Sequence, residues 1–490
     1  MAIDSNVALV KRTGILSVGK ILQSTMSFFA TIYMAHVLGP VDFGIIGFTA
    51  AITAYFGLAS TLGIPTMATR EISKADGDFA RQGLIVGDVA YLTAGLALTS
   101  YALLWLFTPI FTLTPTVQAI LLISGLQVLI NSLSPQWASV GIQRTDFNVI
   151  ANIIGTLIRV SLVFLLIHGP KNLLDVPAVA AVGTLATVIV EWWLFHKVTP
   201  IRWSPSWSRL WSIFRRSLPL TTASAMMQIY SSVDTIFLGY WDGLGVVGYY
   251  NAAYKLVLFL TNFTTVYNQI IFPLATRLYF TDTDRLKSQL SNSLSVSTLV
   301  TMPIMLGGSW LAGPIIRTIF GSQFGAAAPV LRILLWSWGA TVATLHYGSV
   351  LVAGNQERRF AKGIAWGAMI NLVANLIAIP LWGDIGAAAS ILVTELANLA
   401  YMMYHMYRQL GWYGPSSRTL LGVTASSGFM LAGLDLLSRR LNFFESIVLG
   451  ALLYSLGLLI TRTVRPHQIR RAARVLVPQS RLNKTPKSTH

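Results

Sequence analysis

Stretches of roughly twenty mostly apolar residues, separated by short polar connections, follow one another along almost the whole of this chain. A helix needs about 20 such residues to cross the hydrocarbon core of a bilayer. About fourteen stretches qualify, which predicts an all-α polytopic membrane protein of about 14 transmembrane helices. The first two are 14–36 and 43–64; later pairs are 218–240 with 248–273, 361–381 with 386–407, and 418–437 with 443–461. Only 11% of the residues are charged, against roughly 25% in soluble domains. Lys11 and Arg12 precede the first apolar run as they would in a signal peptide, but the run is too long for one and contains Lys20. It is expected to be a retained spanning helix.

A net charge of +17 would suggest nucleic acid for a soluble chain. Here the basic residues fall between apolar runs, so the positive-inside rule accounts for them and no nucleic-acid partner is expected. With the N-terminus in the cytoplasm, Lys171, Arg317, Arg439 and Arg440 lie on outer connections, and Lys20, Arg159, Lys255 and Arg332 lie within spans. The remaining Lys and Arg all face inward, which predicts both termini in the cytoplasm. The tail from Arg462 carries Arg465, Arg470, Arg471, Arg474, Arg481, Lys484 and Lys487. Anionic inner-leaflet lipid attracts such a segment, and a partner protein is the second reading of it.

The chain also repeats itself. Leu38-Gly39 returns as Leu238-Gly239, Gly44 and Gly47 as Gly245 and Gly248, and Ala68-Thr69-Arg70 as Ala275-Thr276-Arg277. Gly141-Ile142-Gln143-Arg144 returns as Gly354-Asn355-Gln356 with a basic pair, and Glu191 as Glu395. Six helices per copy restore the starting orientation, so two parallel lobes are expected, 1–200 and 201–410. An extra helix pair would occupy 411–461, and a basic tail 462–490.

Charges at membrane depth are expensive and mark functional candidates. The cations are Lys20, Arg159, Lys255 and Arg332; the anions are Asp88, Glu191, Asp234 and Glu395. Equal numbers leave mutual pairing open, and snorkelling to an interface is open for those near span ends. Asp234 and Lys255 sit at similar depth on neighbouring spans, as a gating pair or a permanent brace. Glu191 and Glu395 hold equivalent repeat positions, which favours bracing. Asn251, Asn268 and Gln269 form a polar stripe for sugar hydroxyls or for helix packing, and His346 reads as a packing residue. Gly44, Gly47, Pro65, Gly245, Gly248 and Pro273 suit hinges or close helix contacts.

No catalytic set is visible: there is no H-E-x-x-H, no phosphate loop and no G-x-S-x-G elbow. The chain has no Cys, hence no thiolate site. It is expected not to be an enzyme and to carry no cofactor or metal.

Several motifs occur in a familiar order: Leu38-Gly39-Pro40 with Gly44 and Gly47, Gly63-Ile64-Pro65, Ala68-Thr69-Arg70-Glu71, Pro135-Gln136-Trp137, Val233-Asp234, Val247-Gly248-Tyr249-Tyr250, and Gly383-Asp384-Ile385-Gly386 with Glu395. Together they resemble the polysaccharide (O-antigen) flippase branch of the MOP superfamily of multidrug, oligosaccharidyl-lipid and polysaccharide exporters. The resemblance implies a two-lobed transporter with a central cavity lined by its first, second, seventh and eighth helices. It implies a lipid-linked oligosaccharide as cargo, carried on undecaprenyl pyrophosphate from the inner to the outer leaflet of the bacterial inner membrane by alternating access. Other partners implied are membrane lipids, a proton or sodium ion for coupling, and further polysaccharide-assembly proteins.

On that reading Lys20, Lys255, Arg332, Asn251 and Arg159 would bind the pyrophosphate and sugars. Asp234, Asp88, Glu395 and Glu191 would serve gating or ion coupling. A drug/cation antiporter of the same superfamily is the alternative and asks for an acidic cavity. A membrane glycan polymerase asks for catalytic carboxylates or a long outer loop.

Overall fold

The computed structural model describes residues 2–110, 113–437 and 441–463, with backbone alone for 2–18, 110, 223, 266 and 270. Arg439, Arg440 and the basic tail beyond Thr463 lie outside the described residues. Among those described, every regular element is helical. The first half of the chain gives α1 (Ala2–Thr61), α2 (Ile64–Lys74), α3 (Phe79–Phe107), α4 (Pro115–Ser132), α5 (Gln136–Gly141), α6 (Thr145–Leu166) and α7 (Asp175–His196). The second half gives α8 (Trp207–Trp241), α9 (Leu244–Tyr279), α10 (Thr283–Trp310), α11 (Ala312–Phe320), α12 (Ala327–Ala353), α13 (Glu357–Leu410), α14 (Ser417–Leu437) and α15 (Phe443–Ile460).

Two of these helices are longer than one crossing requires. α1 runs 60 residues and breaks at Gly39, where φ is 78° and ψ 174°. A side chain would be strained there, and Pro40 next to it starts the second leg without an N–H to satisfy. α13 runs 54 residues and breaks at Gly383, with φ 56° and ψ −131°. Each bent helix thus holds two of the predicted spans. Among the described residues eleven helices are long and apolar enough to cross a membrane, rather than about fourteen. α1 and α13 each count once, and α8, which holds 218–240, is not among the eleven.

The side chains confirm a bilayer-facing surface. Leu98, Trp105, Leu165 and Leu381 are each more than 60% exposed on the flanks of these helices, a display that water would not tolerate over so wide an area. Inside, Leu38 and Ile45 of α1 pack with Ile120 of α4, Val163 of α6 and Val176 and Val179 of α7. Ile64, Ala68 and Ile72, one stripe of the short α2, pack with Val86 and Val89 of α3, Trp137 of α5 and Phe195 of α7. The backbone carries the repeat as well, one residue out of register with the Gly141/Gly354 match: Gln143 and Asn355, both just past a helix end, take φ 58°.

The chain divides into two compact units that do not follow chain order. One is Met1–Thr283 with Ala312–Gly411; the other is Asp284–Leu311 with the described residues from Trp412 onward. In the second unit Met430, Leu434 and Tyr454 pack with Leu299, Met302 and Trp310. The Tyr454 hydroxyl there donates to the Leu299 carbonyl at 2.8 Å, tying α15 to α10.

Candidate functional site

Two stripes face each other across a cavity of about 350 Å³. One is Lys20, Gln23, Ser24, Ser27, Phe28 and Thr31 on α1; the other is Lys255, Leu258, Phe259 and Asn262 on α9. The spacing of three and four residues is what puts each set on one helix face. Lys20 is exposed and Lys255 half-buried. The structure therefore brings together two cations that lie 235 positions apart in the sequence. It adds a third: Arg159 on α6 donates from Nη2 to the hydroxyl of Ser27 at 2.8 Å, on the cavity wall. The charges of Arg159 and Lys255 repel each other. Among the described residues no ion pair joins any of the three to a carboxylate, in contrast to Lys74–Glu71, Arg144–Asp146 and Arg209–Asp88. Three positive groups in a partly dehydrated space attract an anion far more strongly than the same groups would in water.

Above the cavity α1 and α9 close upon one another. A Cβ on Gly44 would stand 1.7 Å from the Leu244 carbonyl oxygen, and one on Gly248 1.9 Å from that of Pro40. Glycines from the two copies of the repeated hairpin thus interlock backbone to backbone, which is a contact role rather than a hinge. Asn251 continues the Lys255 stripe one turn upward, but it sits buried in the notch left by Gly47 and does not line the cavity. At the same end, a ring nitrogen of His36 (Nε2) lies 2.8 Å from the Ile319 carbonyl oxygen. Below, the Thr221 hydroxyl of α8 donates to the Leu62 carbonyl at 2.7 Å.

The acids are elsewhere. Asp234 is buried and accepts from the Tyr250 hydroxyl and from the Thr235 amide at 2.7 Å. It does not meet Lys255, contrary to the expected pair. Tyr250 and Lys255 are five residues apart on one helix, about 140° round its axis at 3.6 residues per turn, so a helix that offers Tyr250 to α8 turns Lys255 toward α1. Glu395 accepts from the Tyr230 hydroxyl. Glu191 accepts from Ser134 at 2.5 Å, while Trp192 beside it donates to the Leu133 carbonyl at 2.9 Å, so α7 is pinned to the end of α4. Asp88 takes a forked pair from Arg209, Nε at 2.6 Å and Nη2 at 3.1 Å.

The other sequence candidates are dispersed. Arg332 is exposed near the start of α12 and does not line the cavity. Asn268 donates within its own helix to Thr264 at 3.1 Å, and Gln269 is exposed. His346 is fully buried in α12, edge-on to Tyr347. Sequence reasoning missed Ser27, Phe28, Phe259 and Asn262, although stepping three and four residues from each lysine would have reached them. Nothing local could have found Arg209 as the partner of Asp88, 121 residues away.

This fold and its cation-lined cavity define a multi-pass helical membrane transporter. The family model for polysaccharide biosynthesis proteins matches residues 9–279, more than half of the chain, so the chain belongs to that family, whose members include O-antigen transporters and flippases. It is 26% identical over 302 residues to the probable low-salt glycan biosynthesis flippase Agl15 of Haloferax volcanii, a match covering 59% of this chain and 63% of that relative, just under two thirds of its length. It is 24% identical over 390 residues to a putative O-antigen transporter of Escherichia coli K12, covering 76% of this chain and 90% of that one. Among solved structures it superposes on the lipid II flippase MurJ in an inward closed conformation, with a TM-score of 0.75 at 14% identity over 91% of this chain and 99% of that one. At that identity the likeness establishes the fold alone.

Proposed function

We propose that the protein is a flippase that carries an oligosaccharide linked to undecaprenyl pyrophosphate across the bacterial inner membrane. The observation that carries this reading is the convergence of Lys20, Lys255 and, through Ser27, Arg159 on one cavity without a carboxylate partner among the described residues. A pyrophosphate supplies the missing negative charge, and Gln23, Ser24, Thr31 and Asn262 offer hydrogen bonds to the sugars next to it. The cycle is alternating access between lobes 1–200 and 201–410, within fourteen spans and with both termini in the cytoplasm. Parting the Gly44–Leu244 and Gly248–Pro40 contacts opens the cavity to one side and uncovers Asn251 for the cargo. Arg332 waits at the vestibule of that opening. Asp234 and Glu395, each bonded to a tyrosine hydroxyl, are the groups for proton or sodium coupling; Asp88 gates the opposite end, and Glu191 braces. The antiporter alternative asks for an acid-lined chamber, and no acid is among the described residues lining this one.

The test replaces Lys255 with Gln in a host whose surface glycan depends on this protein, at matched expression. Export of the glycan is expected to fall by about tenfold or more, the equivalent of one charge-assisted contact, while lipid-linked sugar accumulates facing the cytoplasm. Undiminished export in Lys255→Gln together with Lys20→Gln refutes the reading.

A further inference from the structure

A second cavity, of about 270 Å³, lies between α2, α3 and α8. Its floor is apolar, with Met67, Ile85, Val89 and Ile213, and its polar rim holds Arg81, Arg216, Ser208 and Ser212. The two acids that face it are already engaged: Asp88 holds Arg209 in the fork described above, and Glu71 holds Lys74 at 2.9 Å. Arg81 and Arg216 are exposed, and no ion pair among the described residues involves either. The cavity therefore presents two uncommitted guanidinium groups over a greasy floor. Beside it, the connection into α8 carries Trp203 and the first turns of α8 carry Trp207 and Trp211, exposed by 63%, 79% and 54%. Tryptophans exposed at every fourth position settle at the level of lipid headgroups. The same connection runs against Gly83 and Gly87 of α3, with the Arg202 amide donating to the Gly83 carbonyl at 3.2 Å.

We infer that this cavity is a binding site for the headgroup of an anionic phospholipid, with the phosphate between Arg81 and Arg216 and an acyl chain leaving over Ile85 and Ile213. Planar guanidinium groups match phosphate oxygens in a fork, and the tryptophan stripe places the cavity at the level where such phosphates are concentrated. The two arginines belong to different halves of the chain, so an occupied site fastens α8 to α3. The inference concerns the lipid environment and does not depend on the identity of the cargo.

The experiment uses the full chain in nanodiscs of phosphatidylcholine with or without phosphatidylglycerol, and measures the phosphatidylglycerol retained on release by native mass spectrometry. The double variant Arg81→Gln with Arg216→Gln is expected to retain the anionic lipid roughly tenfold to thirtyfold less, at about fivefold per cation near a membrane surface. The control Arg358→Gln with Arg359→Gln removes the same charge from exposed residues elsewhere and is expected to retain it like the parent. Equal losses in both variants, or none in the first, overturn the site. If inorganic phosphate displaces the lipid at millimolar concentration, the site belongs to a soluble anion and the lipid assignment falls.

Discussion

The ring of Phe28 lies on that of Phe259, centroids 4.4 Å apart and planes 14° from parallel. One residue comes from α1 and the other from α9, so the stack joins the two copies of the repeated hairpin in the middle of the cationic cavity. Such a pair contributes about 0.5–1.5 kcal/mol beyond the area it buries. Replacing Phe28 with Leu keeps the position apolar and removes the stack. Export by Phe28→Leu is expected to drop severalfold while the thermal midpoint moves by only a few degrees, checked by glycan export alongside unfolding in detergent. Phe28→Tyr is expected to restore it. Parental export in Phe28→Leu with Phe259→Leu shows the stack to be incidental packing.

The interlocked glycines give a steric prediction. A methyl group on Gly44 would overlap the Leu244 carbonyl oxygen, so the backbones must move apart. Overpacking of this sort costs about 1–3 kcal/mol, and Gly44→Ala is expected to hold the seam open and lower export about tenfold or more. Because the chain has no cysteine, the opposite perturbation is clean. Val41 Cγ2 lies 3.6 Å from where a Cβ on Gly245 would be. Val41→Cys with Gly245→Cys is expected to stop export when joined by oxidation or a short thiol cross-linker, and to regain it on reduction. Continued export by a fully cross-linked sample contradicts a seam that must part.

The pair Asp88–Arg209 is lopsided, and its energetics follow. The aspartate side chain is 5% exposed and the arginine 46%. Removing Asp88 leaves a cation that water can solvate, whereas removing Arg209 leaves a carboxylate that water cannot reach. Breaking a fully buried pair costs about 3–5 kcal/mol, and solvent screening on the arginine side reduces that. Arg209→Ala is therefore expected to lower the midpoint of denaturant melts of the purified protein clearly more than Asp88→Ala does. Equal costs would mean that the carboxylate is wetter than its surroundings suggest.

How much of this was legible in the sequence depends on the range of each signal. Apolar runs and the lysines within them are local, so the helical membrane class and the cations Lys20, Lys255 and Arg159 could be read directly. The repeat was legible because glycine pairs at matching offsets mark equivalent turns, although the backbone conformation shared by Gln143 and Asn355 sets its register one residue from the Gly141/Gly354 match. The partners were not. Asp234 sits level with Lys255 along the chain, but level says nothing about azimuth, and Tyr250 faces it instead. Asn251 has the right azimuth, yet a seam whose closure depends on Gly44 and Gly47 hides it. The helix breaks at Gly39 and Gly383 were legible: each glycine takes non-helical angles where one leg ends and the next begins.

The unbalanced charge of the cavity has a consequence for traffic through it. With Lys20, Lys255 and Arg159 gathered around one small volume, an empty chamber works against its own closure, because every water molecule expelled sharpens the repulsion among them. An anionic passenger reverses the sign of that balance. On the proposed reading, closure is then expected to favour the loaded protein and to leave an unloaded one ajar on one face.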